Sequence, residues 1–130
     1  MVRLLTALGV FLGGCAHEPA LPQHAEAMYA RYCASCHGVT GRGDGPAAPA
    51  LSPPPTDLTK SDLSLAELMR VIDGRRTVRA HGTAAMPVWG QVFEEAAEDP
   101  DRRHRQTLRD VQAVAEYVQA LRARAAPAGS

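Results

Sequence analysis

The chain has 130 residues, and its 14 Lys and Arg residues balance 14 Asp and Glu residues, so the formal net charge is zero. This length allows one domain, and a neutral chain offers no electrostatic basis for binding nucleic acid. Large aromatic side chains are scarce, with two Phe, three Tyr and one Trp, which predicts a thin apolar core.

The N-terminal region has the pattern of an export signal. A short positive stretch precedes a mostly apolar run from Leu4 to Leu12, which is too short to span a bilayer as a helix. The small residues before Cys15 resemble the lipobox of bacterial lipoproteins, in which the signal is removed and the cysteine carries a lipid. The sequence therefore predicts a signal peptide at 1–14 and a lipid-anchored tether at 15–23. An ordinary signal peptide with an incidental cysteine is the alternative.

The most informative motif is Cys-Ala-Ser-Cys-His at residues 33–37, which ends a helix predicted from about His24 to Ala34. Two thiols spaced by two residues and followed by a histidine are the attachment site of a c-type haem. On a helix Cys33 and His37 lie on one face, so thioethers at Cys33 and Cys36 would place the imidazole under the iron. A zinc site would need a second ligand pair, and no cysteine follows the motif. A thioredoxin-type pair would sit beside a strand, and no alternating strand pattern precedes this one.

Residues 38–58 are predicted to form a loop rich in glycine and proline. Gly41, Gly43 and Gly45 alternate, and three consecutive prolines follow at 53–55. The glycine spacing is similar to that of a phosphate-binding loop, but no strand precedes it and no Gly-Lys-Ser/Thr sequence follows it. The prolines fix φ, so they stiffen a loop that would wall a flat cofactor off from water.

Two further helices are predicted downstream. Ser64 and Glu67 form a capping box at the start of a helix over residues 64–73, and a last helix begins near Thr107. Their apolar faces consist of Leu65, Leu68, Met69 and Ile72 in the first, and Leu108, Val111, Val114, Ala115, Val118 and Leu121 in the second. Between them, Glu94 to Arg105 is predicted to be a solvated, self-paired and partly helical segment, with partner docking as the alternative.

A six-coordinate electron-transfer haem needs a second axial ligand, for which Met86 is the first candidate. Met86 lies in a segment without helical periodicity, and Pro87 stiffens the turn after its sulfur. Met28 and Met69 lie on predicted helical faces, where methionine packs in the core. His81, five residues before Met86, is the competing ligand.

The haem motif, the Gly-Asp-Gly-Pro segment at 43–46, Met86-Pro87 and the C-terminal helix over Val114 to Leu121 together resemble a class I c-type cytochrome. The resemblance covers about residues 24–124 and implies a small all-α fold, with three to five helices wrapped around one covalently bound haem c. Residues 125–130 would then be a flexible tail. The family's first and last helices cross, and the residues expected at that crossing are Ala25, Met28, Tyr29, Tyr117 and Leu121.

The resemblance also implies roles for residues around the haem. A proline carbonyl accepts the other ring N–H of the histidine ligand and so fixes its tautomer. Pro49 matches that position best, and Pro46 is the alternative. Trp89 could donate its indole N–H to a haem propionate, with plain core packing as the alternative.

The function predicted from these residues is single-electron transfer in a respiratory or related chain, by a protein that is not itself an enzyme but could be a subunit of an oxidoreductase complex. Histidine–methionine ligation raises the iron potential, and six-coordination leaves no open position for a substrate. We expect the protein on the periplasmic side of a bacterial membrane, anchored by a lipid on Cys15 and exchanging electrons with redox-protein partners. A basic group could steer an acidic partner or be merely solvated, and it consists of Arg70, Arg75, Arg76 and Arg79. The alternative function is a haem subunit with a labile Met86, acting in peroxide or small-molecule chemistry or gas sensing.

Overall fold

The computed structural model describes residues 23–75 and 86–127, and within these ranges the chain is all-helical, without a β-strand. Its helices are α1 (Gln23–Tyr32), α2 (Ala34–His37), α3 (Leu65–Asp73), α4 (Trp89–Ala96) and α5 (Arg103–Ala125), with 3-10 turns at Ala48–Ala50 and Leu58–Lys60. The predicted all-α fold class is confirmed. Outside the described residues lie the predicted signal peptide, Cys15, most of the tether, Arg76, Arg79, His81 and the end of the tail. None of the described helices is both long enough and apolar enough to cross a membrane.

Helix α5 is the centre of the fold, because α1, α3, α4 and the turn at 58–60 all pack against it. Its buried apolar side chains are Val111, Val114, Ala115, Tyr117, Val118 and Leu121. The prediction that Leu108 shares this face is wrong, since 43% of that residue is exposed. The predicted start near Thr107 is also wrong. Thr107 is fully buried inside the helix, and its hydroxyl donates to the Arg103 carbonyl at 3.0 Å.

Helix α1 packs against α5 through small and aromatic residues, as the family resemblance implies. Ala25 and Tyr29 are buried, and the ring centroids of Tyr29 and Tyr117 are 4.8 Å apart. At the start of α1, His24 Nε2 lies 2.7 Å from Asp110 Oδ1. The side-chain amide of Gln106 donates to both Asp110 oxygens, at 2.9 and 3.1 Å. Asp110 is buried, so these bonds supply the partners that a carboxylate removed from water needs.

Helix α3 begins with the predicted capping box. The Ser64 hydroxyl accepts from the Glu67 amide at 3.4 Å, and the Glu67 carboxylate accepts from the Ser64 amide at 2.8 Å. Gly74 ends the helix with a φ of 66°, a conformation that glycine adopts without steric cost.

Helix α4 was not predicted as a helix of its own. Trp89 to Ala96 form it, and Phe93 is buried on its inner side, so the segment contributes to the core. In the segment from Glu94 to Arg105, predicted to be self-paired and partly helical, Arg102 Nε lies 3.2 Å from Asp99 Oδ2, and both ends of the segment are helical.

Candidate haem site

The Cys-x-x-Cys-His pentapeptide folds as a helical turn of its own, α2, directly after α1. The Cys33 amide donates to the Tyr29 carbonyl at 2.9 Å, which continues the hydrogen bonding of α1. The Cys33 carbonyl in turn accepts from the amides of Cys36 at 3.2 Å and His37 at 2.9 Å. The two thiols and the imidazole are therefore carried on one short, hydrogen-bonded turn.

The glycine-rich loop pairs with the carbonyls at the end of this turn. A helix end leaves carbonyl groups without partners in the helix, and here the loop supplies the donors. The pairs are Gly43 N to His37 O at 2.8 Å, Gly45 N to Cys36 O at 3.1 Å, and Ala47 N to Ser35 O at 2.8 Å. The alternating glycines therefore serve the attachment turn itself, a role that their spacing in the sequence did not reveal.

Two of these glycines are required by close approach of the backbone. Gly43 has a φ of +80°, and a Cβ there would collide with the Pro55 carbonyl oxygen. A Cβ at Gly45 would collide with the Ser35 carbonyl oxygen and lie 2.6 Å from the Ala34 carbonyl oxygen. The loop can reach the attachment turn only because these positions lack side chains.

His37 is oriented by the loop as it returns past the attachment turn. Its Nδ1 lies 3.1 Å from the Thr56 carbonyl oxygen, and a carbonyl can only accept, so Nδ1 carries the hydrogen. The carbonyl at Nδ1 in this structure is that of Thr56, and the role assigned to Pro49, with Pro46 as the alternative, stays a prediction for the haem-bound protein. Pro49 lies exposed on the 3-10 turn at Ala48–Ala50, whereas Thr56, directly after the prolines at 53–55, lies beside the His37 ring.

The electrostatics of the ring favour a neutral imidazole. Burial lowers the pKa of His37 below its ordinary value, and the hydrogen bond to Thr56 opposes that shift without cancelling it. With Nδ1–H donated to Thr56, Nε2 is the nitrogen left to bind a metal, which is the arrangement typical of a histidine ligand.

The two cysteines are free thiols in different surroundings. Cys33 is 8% exposed within the apolar core, and burial, together with the neighbouring Cys36 thiolate, raises the pKa of Cys33 to about 12. Cys36 is only half-buried, with its sulfur 3.8 Å from the Ser35 hydroxyl. A thioether carries no charge, so a covalent link at Cys33 suits its apolar surroundings better than a thiolate would.

These residues fit a haem better than a protein-only metal site. Within residues 23–75 and 86–127, no three His, Cys, Asp or Glu side chains gather as a ligand cluster. A haem brings its own four nitrogen ligands and needs only axial groups from the protein, such as His37. Several apolar side chains that pack against the core are only partly buried by the described chain. They include Met28, Tyr32, Leu58, Leu63, Leu65, Met69, Trp89 and Val92.

Met86 and Trp89 are not brought to His37 by any contact that the structure describes. Met86 is 37% exposed at the first described position after residue 85. Trp89 begins α4, and its ring stacks on Phe93 at 5.9 Å and meets the Tyr32 ring edge-on at 5.6 Å. Of the two roles considered for Trp89, core packing is the one that these contacts support, and the propionate bond stays a prediction.

The fold and the attachment turn are those of a c-type cytochrome domain. A family model described as cytochrome C oxidase, cbb3-type, subunit III matches residues 20–99, more than half of the chain. The chain belongs to this family, so its domain is a haem c electron-transfer domain rather than a catalytic one. Neither the curated proteins nor the solved structures include a match to the chain. The family match ends before α5, although α5 packs against the helices that the match covers.

Proposed function

We propose that the chain is a single-electron carrier in which one haem c is attached through thioethers at Cys33 and Cys36 and ligated by His37. The observation that carries this proposal is the pairing of the attachment turn with Gly43 and Gly45, which holds the motif in one conformation. The bound haem would supply a one-electron ferric–ferrous couple. The protein supplies the rest: a fixed histidine tautomer, an apolar setting for Cys33 and a stiff proline-containing loop.

We further propose Met86 as the second axial ligand. Pro87 follows the sulfur and restricts the backbone there, and a thioether ligand favours the ferrous state. His81 is the competing ligand, and it lies outside the described residues. With both axial positions filled by the protein, a carrier role is favoured over chemistry at the iron.

The proposed carrier works outside the cytoplasm. The predicted signal at 1–14 and the cysteine at position 15 favour an exported protein held by a lipid on the periplasmic side of a bacterial membrane. Its partners would be redox proteins that donate and accept electrons during brief contacts. Replacing Cys15 by Ser should release the mature protein from the membrane fraction if the lipid is present.

The decisive experiment uses the full chain matured with haem. Mass spectrometry should show one added haem, lost in the Cys33→Ser/Cys36→Ser double variant. The ferric protein should show the far-red sulfur-to-iron charge-transfer band, and Met86→Ala should abolish it, whereas the control Met28→Leu should keep it. A protein without added haem contradicts the proposed carrier. Haem without the band, together with rapid carbon monoxide binding to the ferrous protein, favours the alternative of a labile ligand in small-molecule chemistry or gas sensing.

A further inference from the structure

One arginine joins the two ends of the chain segment that leads into Met86. Arg75 is the last described residue before that segment, and its Nη1 lies 2.8 Å from Glu94 Oε2 in α4. Its Nε and Nη2 lie 2.9 and 2.7 Å from Asp73 Oδ1 at the end of α3. The guanidinium therefore bridges α3 to α4. Two carboxylates compensate the charge of Arg75, which is one of the four arginines considered either for steering an acidic partner or as merely solvated.

The backbone at the same junction is packed too closely for side chains. A Cβ at Gly90 would collide with the Asp73 carboxylate and lie 2.8 Å from Arg75 Nε. On the other side, a Cβ at Gly74 would lie 3.3 Å from the Cα of Val88, two residues after Met86. Two glycines therefore allow the end of α3 and the start of α4 to touch, and the ion pair between Arg75 and Glu94 lies across that contact.

We propose that Arg75 is a positioning residue that keeps Met86 available as an axial ligand by clamping the two ends of the chain around it. The Arg75 clamp consists of Arg75, Asp73 and Glu94, and its role rests on the proposed haem with Met86 ligation. A thioether is a weak ligand, so its occupancy depends on how firmly the chain that carries it is held. Opening the clamp lets the ends separate, which makes it easier for another ligand to displace the sulfur.

The clamp is partly exposed, so its effect is moderate. The side chains of Arg75, Asp73 and Glu94 are 29%, 23% and 36% exposed, and ion pairs at that depth are weakened by water and salt. An arginine that meets two carboxylates holds them more rigidly than a lysine could, because its planar fork presents several donors in fixed directions.

The test measures how readily imidazole replaces Met86 in the ferric, haem-loaded full chain. We expect Arg75→Gln to bind imidazole about three- to fivefold more tightly than the wild type, with the far-red band bleached at correspondingly lower imidazole. Arg75→Lys should fall between the two. Arg70→Gln is the matched control, because it removes the same charge from the exposed side of α3 and should stay within about twofold of the wild type. In high salt the difference between Arg75→Gln and the wild type should shrink.

The outcomes separate this inference from the function on which it rests. If the wild type shows the band and Arg75→Gln binds imidazole no more tightly than Arg70→Gln, the clamp is wrong and the ligation proposal stands. If the wild type lacks the band and Met86→Ala changes nothing, the ligation proposal fails and the clamp fails with it. Should Arg75→Gln not mature, Glu94→Gln removes the bridge from the other side, and unchanged imidazole affinity in that variant would overturn the clamp.

Discussion

The contact between α1 and α5 and the attachment turn are adjacent, yet different forces hold them. At the helix contact, both helices bury apolar side chains, such as Ala25 in α1 and Val114 in α5, and the stabilisation is spread over many atoms. At the attachment turn, three loop amides pair with three carbonyls, and glycines allow the two backbones to approach. Substitutions at the helix contact should lower the stability by moderate amounts, because side chains there can change rotamer. Substitutions at the attachment turn should lower it more, because two backbones in contact cannot adjust in that way.

The largest effect is expected for Gly45→Ala. The new methyl group would overlap the Ser35 and Ala34 carbonyl oxygens, so the loop would have to leave the attachment turn. We expect a loss of about 3 kcal/mol or more in unfolding free energy, measured by denaturant titration of the matured protein. Pro46→Ala is the control, since Pro46 is exposed next to it. Equal stability of the two variants would show that the turn tolerates displacement of the loop.

Val114→Ala tests the helix contact in the same titration. Val114 is buried in α5, and removing two methyl groups there should cost about 2 kcal/mol through lost burial and a small cavity. Leu108→Ala lies on the exposed side of the same helix and should cost less than about 0.5 kcal/mol. A Leu108 effect as large as that of Val114 would contradict the division of α5 into inner and outer faces.

Tyr29→Phe probes the residue that belongs to both regions. The Tyr29 ring packs on Tyr117, and its hydroxyl donates to the Gly38 carbonyl at 2.8 Å, directly after the histidine. The phenylalanine variant keeps the packing and loses the hydrogen bond, so we expect a loss of about 1 kcal/mol at neutral pH. Faster hydrogen exchange at the Gly41 and Gly43 amides would locate that loss in the loop.

The stability of Tyr29→Phe relative to the wild type should also depend on pH, in a direction set by the pKa of Tyr29. Burial raises the pKa of Tyr29 above its ordinary value near 10, so the unfolded chain loses the phenol proton first. The wild type should therefore keep this stability below about pH 10 and lose it as the pH rises, by at most about 1.4 kcal/mol per pH unit. Tyr29→Phe should show a shallower decline between about pH 10 and 11. Equal declines in the stability of the two proteins would contradict the raised pKa of Tyr29.

The smallest effect is expected for Ser64→Ala, which lies in neither region. Ser64 caps α3 at an exposed site, so its loss should cost about 0.5 kcal/mol. The pKa of Glu67 is lowered chiefly by its hydrogen bonds to Ser64. The stabilisation from that lowered pKa is present above the carboxyl's ordinary pKa and is lost as the pH falls, so wild type and variant should converge in acid. A difference in unfolding free energy between the two proteins that stays constant from neutral to acidic pH would argue against the capping box.

Short patterns in the sequence were enough to predict some features of this molecule. The haem motif, the capping box at Ser64 and the all-α class depend on residues close together in the chain, and each is readable as a short pattern. Helix α4 was missed because only eight residues form it, and its end was assigned to the solvated segment that begins at Glu94. Leu108 was misplaced because the buried position of that helical turn is taken by the neighbouring Thr107, a polar residue that an apolar pattern passes over.

The candidate site was harder to predict where it depends on the path of the loop. Thr56 orients His37 from nineteen residues away, and it does so through its backbone carbonyl. Every residue has a backbone carbonyl, so the sequence contains no pattern that marks this one. The prolines at 53–55 indicated a stiff loop, whereas the family resemblance pointed to the carbonyl of Pro49. The alternating glycines were noticed, yet their role as pairing partners of the attachment turn required the three-dimensional contact.

The bond between His24 and Asp110 bears on how the domain withstands mechanical load. His24 is the second residue of α1, and its ring is fastened to α5 by a 2.7 Å contact. Any tension on the chain before Gln23 is therefore shared with α5, so α1 should unwind less easily towards Cys33. The His24–Asp110 bond at the start of the domain should therefore protect the turn that carries Cys33 and Cys36 from a mechanical load.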